Sequence, residues 1–309
     1  MDKFITVLQC VAPIFTAVLL GMLARKKQVI KPEQIQGLQQ FVMKFGLPCV
    51  LFNSCLSADI TAESVSTLVL VMPFMVLATV IAFRFGRKKY PYHNLPQLFA
   101  AQETGMLGIP LFMILFGADQ AYRMGILDIA QMPAVFPTIA ILSATTGSNP
   151  SKKDIVKNVF RSPLVIMAFL GLILNFSGIA NWLSRFGVMQ VITESTAFLG
   201  QPVSALMIFC VGYNFTLAKG NRKPIFQLSA LHLAWTVSFG LVVQLLLLLI
   251  PNVDSLTRWS VLMYSTLPAS YLATSLGRSE DDFAVASGVC SILTVISLIV
   301  FCVIAVIVT

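Results

Sequence analysis

Residues 101–117 read AQETGMLGIPLFMILFG, and the fold turns on how that stretch sits in its surroundings. It closes an apolar run, 97–117, long enough for the ~20 residues a helix needs to cross the hydrocarbon core of a bilayer. Inside it lie Gln102, Glu103, Thr104, two glycines (Gly105 and Gly108) and Pro110. A proline removes a backbone donor and clashes with the preceding turn. It also pushes the residue before it, here Ile109, towards extended backbone, while the glycines add freedom just upstream. The stretch therefore predicts a helix that breaks at Pro110 inside a membrane, with a half-helix starting there. Such a break is tolerated only where protein or a water-filled cavity satisfies the freed backbone groups.

The rest of the chain supplies the membrane. Of 309 residues, 57% are hydrophobic and only 11% charged, against about 25% charged in an ordinary soluble domain, and mean hydropathy is +0.85. These values argue against a soluble enzyme, a secreted disulfide scaffold, a disordered chain and a nucleic-acid binder. Ten apolar runs stand out: 4–23, 36–56, 65–84, 97–117, 124–145, 163–180, 188–216, 225–250, 256–276 and 283–308. They predict an all-α membrane protein of ten transmembrane helices, with loops too short for a separate soluble domain. The first run is longer than a signal-peptide core and reads as a helix of the mature chain.

Lys and Arg set the orientation, because they accumulate in cytoplasmic loops. One set of alternating loops holds 16 of the 21, around Arg25–Lys31, Arg84–Lys89, Lys152–Arg161, Lys219–Lys223 and Arg278. The other set, with the N-terminus, holds four (Lys3, Arg123, Arg185 and Arg258), and Lys44 lies inside a helix. The first set is then cytoplasmic and both termini lie outside, as in a multi-pass integral protein.

The halves mirror each other. Residues 1–146 and 147–309 hold five spans each, starting from opposite sides. Gly46-Leu47-Pro48 in the second span answers Gly200-Gln201-Pro202 in the seventh. Gly108-Ile109-Pro110 in the fourth answers Leu267-Pro268-Ala269 in the ninth. Interruptions in corresponding helices of inverted repeats point to a transporter's binding site. Half-helices starting at Pro110 and Pro268 turn positive dipole ends inward, which suits a carboxylate.

Ionisable residues at membrane depth are costly and so are functional candidates. Glu103, Lys44 and Asp128 qualify. Lys44 and Glu103 either form a static ion pair, or Glu103 or Asp128 carries protons. Gln102, Thr104, Asn53, Gln131, Asn214, Thr266, Ser270 and Tyr271 read as bonds to neighbouring helices, Glu194 as a partly hydrated residue near the outer end of the seventh span, and His232 as an anchor or packing residue of the eighth rather than a proton relay. Cys10, Cys49, Cys55, Cys210, Cys290 and Cys302 fall in apolar runs without metal-ligand spacing. No phosphate loop, zinc motif or nucleophile elbow appears, so neither an enzyme nor a cofactor or metal is expected.

Three segments resemble the auxin efflux carrier family of bacteria, whose membrane part is similar to that of the plant PIN-FORMED carriers. Thr104-Gly105-Met106-Leu107-Gly108-Ile109-Pro110-Leu111 resembles its fourth-span "NTGxxGxPL". Gly46-Leu47-Pro48-Cys49-Val50-Leu51-Phe52 resembles "xLPxxLF", and Leu267-Pro268-Ala269 resembles the ninth-span break. The resemblance implies a five-plus-five inverted-repeat fold, similar to bile acid sodium symporters and sodium/proton antiporters, with a scaffold from helices 1, 2, 6 and 7 and a transport part from helices 3–5 and 8–10. It implies an elevator-type carrier of small organic anions in the plasma (bacterial inner) membrane, dimeric through the scaffold. The substrate site is then the crossing of Gln102, Glu103, Thr104, Gly105, Gly108, Ile109 and Pro110 with Leu267, Pro268, Ala269, Ser270 and Tyr271, near Pro48 and Asn53. Glu103 stands where the family usually has Asn, so a protonated Glu103, neutralisation by Lys44, or a neutral or cationic solute are the alternatives. A ligand-binding membrane sensor without turnover is the competing function.

Overall fold

The computed structural model describes residues 2–58, 62–144, 161, 163–215, 222–250 and 253–308, and all regular secondary structure among them is helical. The basic loop around Lys152, Lys153 and Lys157, the join of the two halves, and Lys219 lie outside the described residues. In chain order the helices are α1 (Asp2–Lys26), α2 (32–56), α3 (62–89), α4 (Leu95–Ala100), α5 (Thr104–Phe116), α6 (Ala121–Ala144), α7 (Pro163–Ser177), α8 (Ile179–Ser184), α9 (Val188–Asn214), α10 (Arg222–Leu247), α11 (Ser255–Thr266), α12 (Leu272–Ser275) and α13 (Glu280–Val308).

Among the described residues, four helices are long and apolar enough to cross a membrane: Ser64–Lys89, Val188–Asn214, Arg222–Leu247 and Glu280–Val308. Thr104–Phe116 and Pro163–Ser177 are shorter apolar helices. Local chemistry fixes several ends. Asp254 caps α11 by accepting the Leu256 N–H at 3.2 Å. Glu280, Asp281 and Asp282 crowd the first turn of α13, where negative charge complements the helix dipole.

The breaks differ from the prolines. Ile109 is helical (φ −61°, ψ −50°), and Pro110 lies in the first turn of the α-helical stretch Ile109–Phe116. The expectation of a break at Pro110 is therefore corrected. A π turn, Thr104–Gly108, ends just before Pro110, and another, Val42–Gly46, ends just before Pro48. A π turn inserts an extra residue into the ladder, which lets a proline follow without ending the helix. Gly46 and Leu47 are likewise helical, so α2 runs on through Pro48. Gln201 and Pro202 also keep helical backbone within α9. The chain leaves the helix instead at Ala101–Glu103, with Ala101 extended (φ −147°, ψ 144°). The second break does sit at its proline: Leu267 is extended (φ −65°, ψ 151°), as a residue before proline should be.

Two sets of helices pack among themselves. In the first, α1 lies along the second half of α9, while α7 and the first half of α9 lie on the second half of α2. Small residues permit these contacts. A Cβ on Gly21 would strike the Phe209 carbonyl oxygen, one on Gly212 the Val18 carbonyl oxygen, and one on Gly171 the Phe52 carbonyl oxygen at 2.5 Å. In the second set, α3 packs on α4 and α6, and α10 packs on α11 and α13. Gly240 of α10 fits against the Cβ of Ser265.

Candidate functional site: the crossing of two broken helices

The two non-helical segments run antiparallel and meet in a single β-bridge, Gln102 to Ala269. The Glu103 N–H donates to the Pro268 carbonyl at 2.8 Å and the Ser270 N–H to the Ala101 carbonyl at 3.0 Å. Backbone polar groups buried without partners are costly, so each break supplies what the other lacks. The antiparallel crossing sets α4 beside α12 on one side and α5 beside α11 on the other.

Side chains lock this crossing. Gln131 of α6 accepts the Gln102 N–H (2.8 Å) and the Tyr264 hydroxyl (3.0 Å) at its oxygen. Its nitrogen donates to Asp128 Oδ1 (2.8 Å), Thr104 Oγ1 (3.1 Å) and the Gln102 carbonyl (3.3 Å). The Thr104 hydroxyl donates to Asp128 Oδ1. With its amide turned so that the nitrogen donates, Gln102 reaches His232 Nε2 (3.0 Å) and the carbonyls of Leu267 (2.9 Å) and Pro268 (3.2 Å). Gln131, expected to bond a neighbouring helix, does so here, and His232, expected to anchor or pack its own helix, joins the same network. Tyr264 carried no sequence signal, because a tyrosine in an apolar run is ordinary.

Glu103 is buried and faces the second break. The Tyr271 N–H donates to its Oε2 at 2.6 Å, and the Ser270 hydroxyl and Met106 N–H face the same carboxylate. The expected pair with Lys44 is not formed. Lys44 lies exposed on the Val42–Gly46 turn across the cavity, and among the described residues no ion pair joins it to Glu103. Main-chain donors fixed by the break satisfy this carboxylate without ordering a long lysine side chain, which costs rotamer entropy.

Glu103, Asp128, Gln131 and Tyr271 border a cavity of about 950 Å³. Its wall continues through Met43, Lys44, Gly105 and Met106 to Arg25, Gln36, Tyr213, Pro163 and Phe283. These last residues occupy the end of α1, the start of α2, the end of α9 and the starts of α7 and α13, so the cavity opens towards the Arg25–Lys31 end. Of the expected site residues, Gln102, Glu103, Thr104, Gly105, Ser270 and Tyr271 line it, with Asp128 and Lys44. Gly108, Ile109, Pro110, Leu267 and Ala269 are buried behind it. Gly108 packs closely on Leu267 and Met124. Pro48 is buried in α2 and is not among the residues that line the cavity. Asn53 bonds α9 instead, donating to the Thr193 carbonyl (3.3 Å) and accepting from Thr196 (2.7 Å).

The opposite end is tied by polar bonds. Arg123 pairs with Asp254 at 2.5 Å and bonds Thr257 of α11. Ser54 of α2 donates to the Asp119 carbonyl (2.8 Å) and accepts the Tyr122 N–H (2.7 Å). Thus the start of α6 is tied to α11 and to α2 on the side away from the cavity mouth. Near the mouth, Asp282 accepts the N–H groups of His93, Arg278 and Ser279 (2.9–3.1 Å). Asn94 donates to the carbonyls of Ala273 (2.8 Å) and Asp282 (3.0 Å). Among the described residues no cluster of ligating side chains could hold a metal ion.

These features define a multi-pass helical membrane protein with a polar cavity built on two crossed breaks. Residues 6–145 match the model of a family described as membrane transport protein. The match covers less than half of the chain, and over that segment the protein is similar to the transporter family of the auxin efflux carriers. No curated protein matches it.

Proposed function

We propose that the protein carries a small organic acid across the plasma membrane by alternating access around the crossing. Ten spans in two inverted sets of five would form it. The helices around α1, α2, α7 and α9 would be a static scaffold, paired with a second copy, and those around α3–α6 and α10–α13 would be the moving part. With the basic loops cytoplasmic, the cavity faces inwards, and Arg123, Asp254 and Ser54 form the closed outer gate. One observation carries the reading: main-chain and hydroxyl donors at the crossing converge on one wall of a cavity of about 950 Å³. Preformed donors bind a carboxylate strongly, and the surrounding apolar wall suits an organic body.

The test is uptake into proteoliposomes. Flux of radiolabelled indole-3-acetate or malonate above empty vesicles supports the carrier. Saturable binding without flux would make the protein a sensor, and flux of an amine instead of an acid would replace the substrate class.

A further inference from the structure

The least expected group at the crossing is a carboxylate that already holds the donors a substrate acid would need. The Tyr271 N–H lies 2.6 Å from Glu103 Oε2, and the Ser270 hydroxyl and Met106 N–H turn to the same group. All four residues line the cavity. A substrate carboxylate arriving beside an ionised Glu103 finds its best donors taken and meets like charge in a poorly screened site.

The surroundings decide which carboxylate can yield. On α6, Asp128 is held by the Thr104 hydroxyl and Gln131, which also secure the bridge, so releasing it would unpick the crossing. On α13, the Cys290 thiol sits behind Ser270, donating to the Ala269 carbonyl at 3.4 Å. On α10, His232 is engaged with Gln102. Lys44 of α2 and Arg25 of α1 face Glu103 only from the far wall, and Arg25 donates to the Tyr213 carbonyl at 3.2 Å. Tyr271 bonds Thr294 through its hydroxyl, 3.1 Å away. Glu103 is therefore the group whose release leaves the bridge intact, since its own N–H stays on Pro268.

Resting on the organic-acid reading, we infer that Glu103 is a built-in competitor of the substrate: its carboxylate occupies the donors of the empty pocket, and the substrate carboxylate takes them when Glu103 accepts a proton and turns away. The proton comes from water in the open cavity and ends on the Glu103 carboxyl. One anion and one proton enter together, so the net charge of the crossing is unchanged. Binding is then linked to one proton, and the carrier is an obligate proton–anion symporter at this step.

The test uses full-length protein in nanodiscs with acetate and indole-3-acetate, between about pH 6 and about pH 8, where both acids stay ionised in solution. One linked proton makes wild-type affinity fall about tenfold for each pH unit above the carboxyl's own titration. E103Q, which keeps the shape and cannot ionise, should bind with little pH dependence and more tightly than wild type at the upper end. A second measurement needs no variant: in weak buffer with a pH dye, wild type should take up about one proton per acid bound. An unchanged pH slope in E103Q, or acid binding by wild type without proton uptake, overturns the inference and leaves the organic-acid carrier standing. If neither acid binds either protein at any pH, the organic-acid reading itself fails and the inference falls with it.

Discussion

The contact between α1 and α9 and the crossing of the two breaks are both tight, but they are held by opposite means. In the first, glycines bring main chains together: Gly21 lies on the Phe209 carbonyl and Gly212 on the Val18 carbonyl. In the second, main chains are joined by hydrogen bonds that continuous helices could not offer, and a cavity lies alongside. Apolar helices in lipid gain little from the hydrophobic effect, so close packing and polar bonds must hold them together. The contrast separates a place built to stay shut by shape from a place whose polar groups remain available to a ligand.

The largest effect should come from the shape-held contact. Gly212→Ala places a methyl group on the Val18 carbonyl, where backbone rather than a flexible side chain must move. Overpacking of this kind costs about 1–3 kcal/mol or more, and thermal unfolding in detergent should show a clear drop in midpoint and in folded yield. An unchanged midpoint would mean that the two helices are not so close.

Next, Gln131→Ala strikes the bond-held region. It strips a partner from the buried Gln102 N–H and from Asp128, and each unsatisfied buried group costs about 1–3 kcal/mol. The protein should still be recovered in the membrane, with uptake reduced by about tenfold or more. Full uptake would show that the network is dispensable.

A smaller and sharper test compares the two prolines. Pro268 belongs to the extended bridge, whereas Pro110 follows a π turn inside a helix. Pro268→Ala should lower uptake severalfold and Pro110→Ala should leave it nearly intact. Equal loss from both would move the first break back to Pro110.

The smallest effect lies at the cavity mouth. Burial, followed by the charge of Arg278, holds the His93 imidazole below its usual value, with Arg87 adding to it. Arg87 donates to Nδ1 at 3.4 Å and Nε2 donates to the Leu142 carbonyl at 3.3 Å, an arrangement that needs the neutral ring. A depressed histidine contributes stability above its unfolded value near 6.5, and that contribution is lost as pH falls through the folded value. Thermal unfolding should therefore weaken slightly in acid, and His93→Gln should remove that part of the slope.

Much of this was legible in the sequence because bilayer physics is strict. Low charge and apolar runs of fixed length announced the helices, and the runs at 163–180, 225–250 and 283–308 correspond to α7, α10 and α13. The position of the first break was not legible from the proline rule. Sequence shows a proline but not the π turn that absorbs it, whereas Ala101–Glu103 holds neither glycine nor proline. The signal there was chemical: Gln102, Glu103 and Thr104 are three consecutive polar residues in an apolar run, affordable only if something bonds them. The Lys44–Glu103 pair was predicted from depth along the membrane alone, and depth says nothing about which way a side chain turns. Ser54, Asn94 and Tyr264 went unremarked because each is common in such helices; only the fold shows which carbonyl or amide each one meets.

The seam between Gln102 and Ala269 has an evolutionary implication. Its own bonds run from peptide to peptide, so, Pro268 apart, they tolerate exchange of the side chains along it, provided no second proline intrudes. The frame can thus be kept while lining residues such as Glu103 and Ser270 drift, and relatives built on this weld could differ widely in cargo without redesigning the joint.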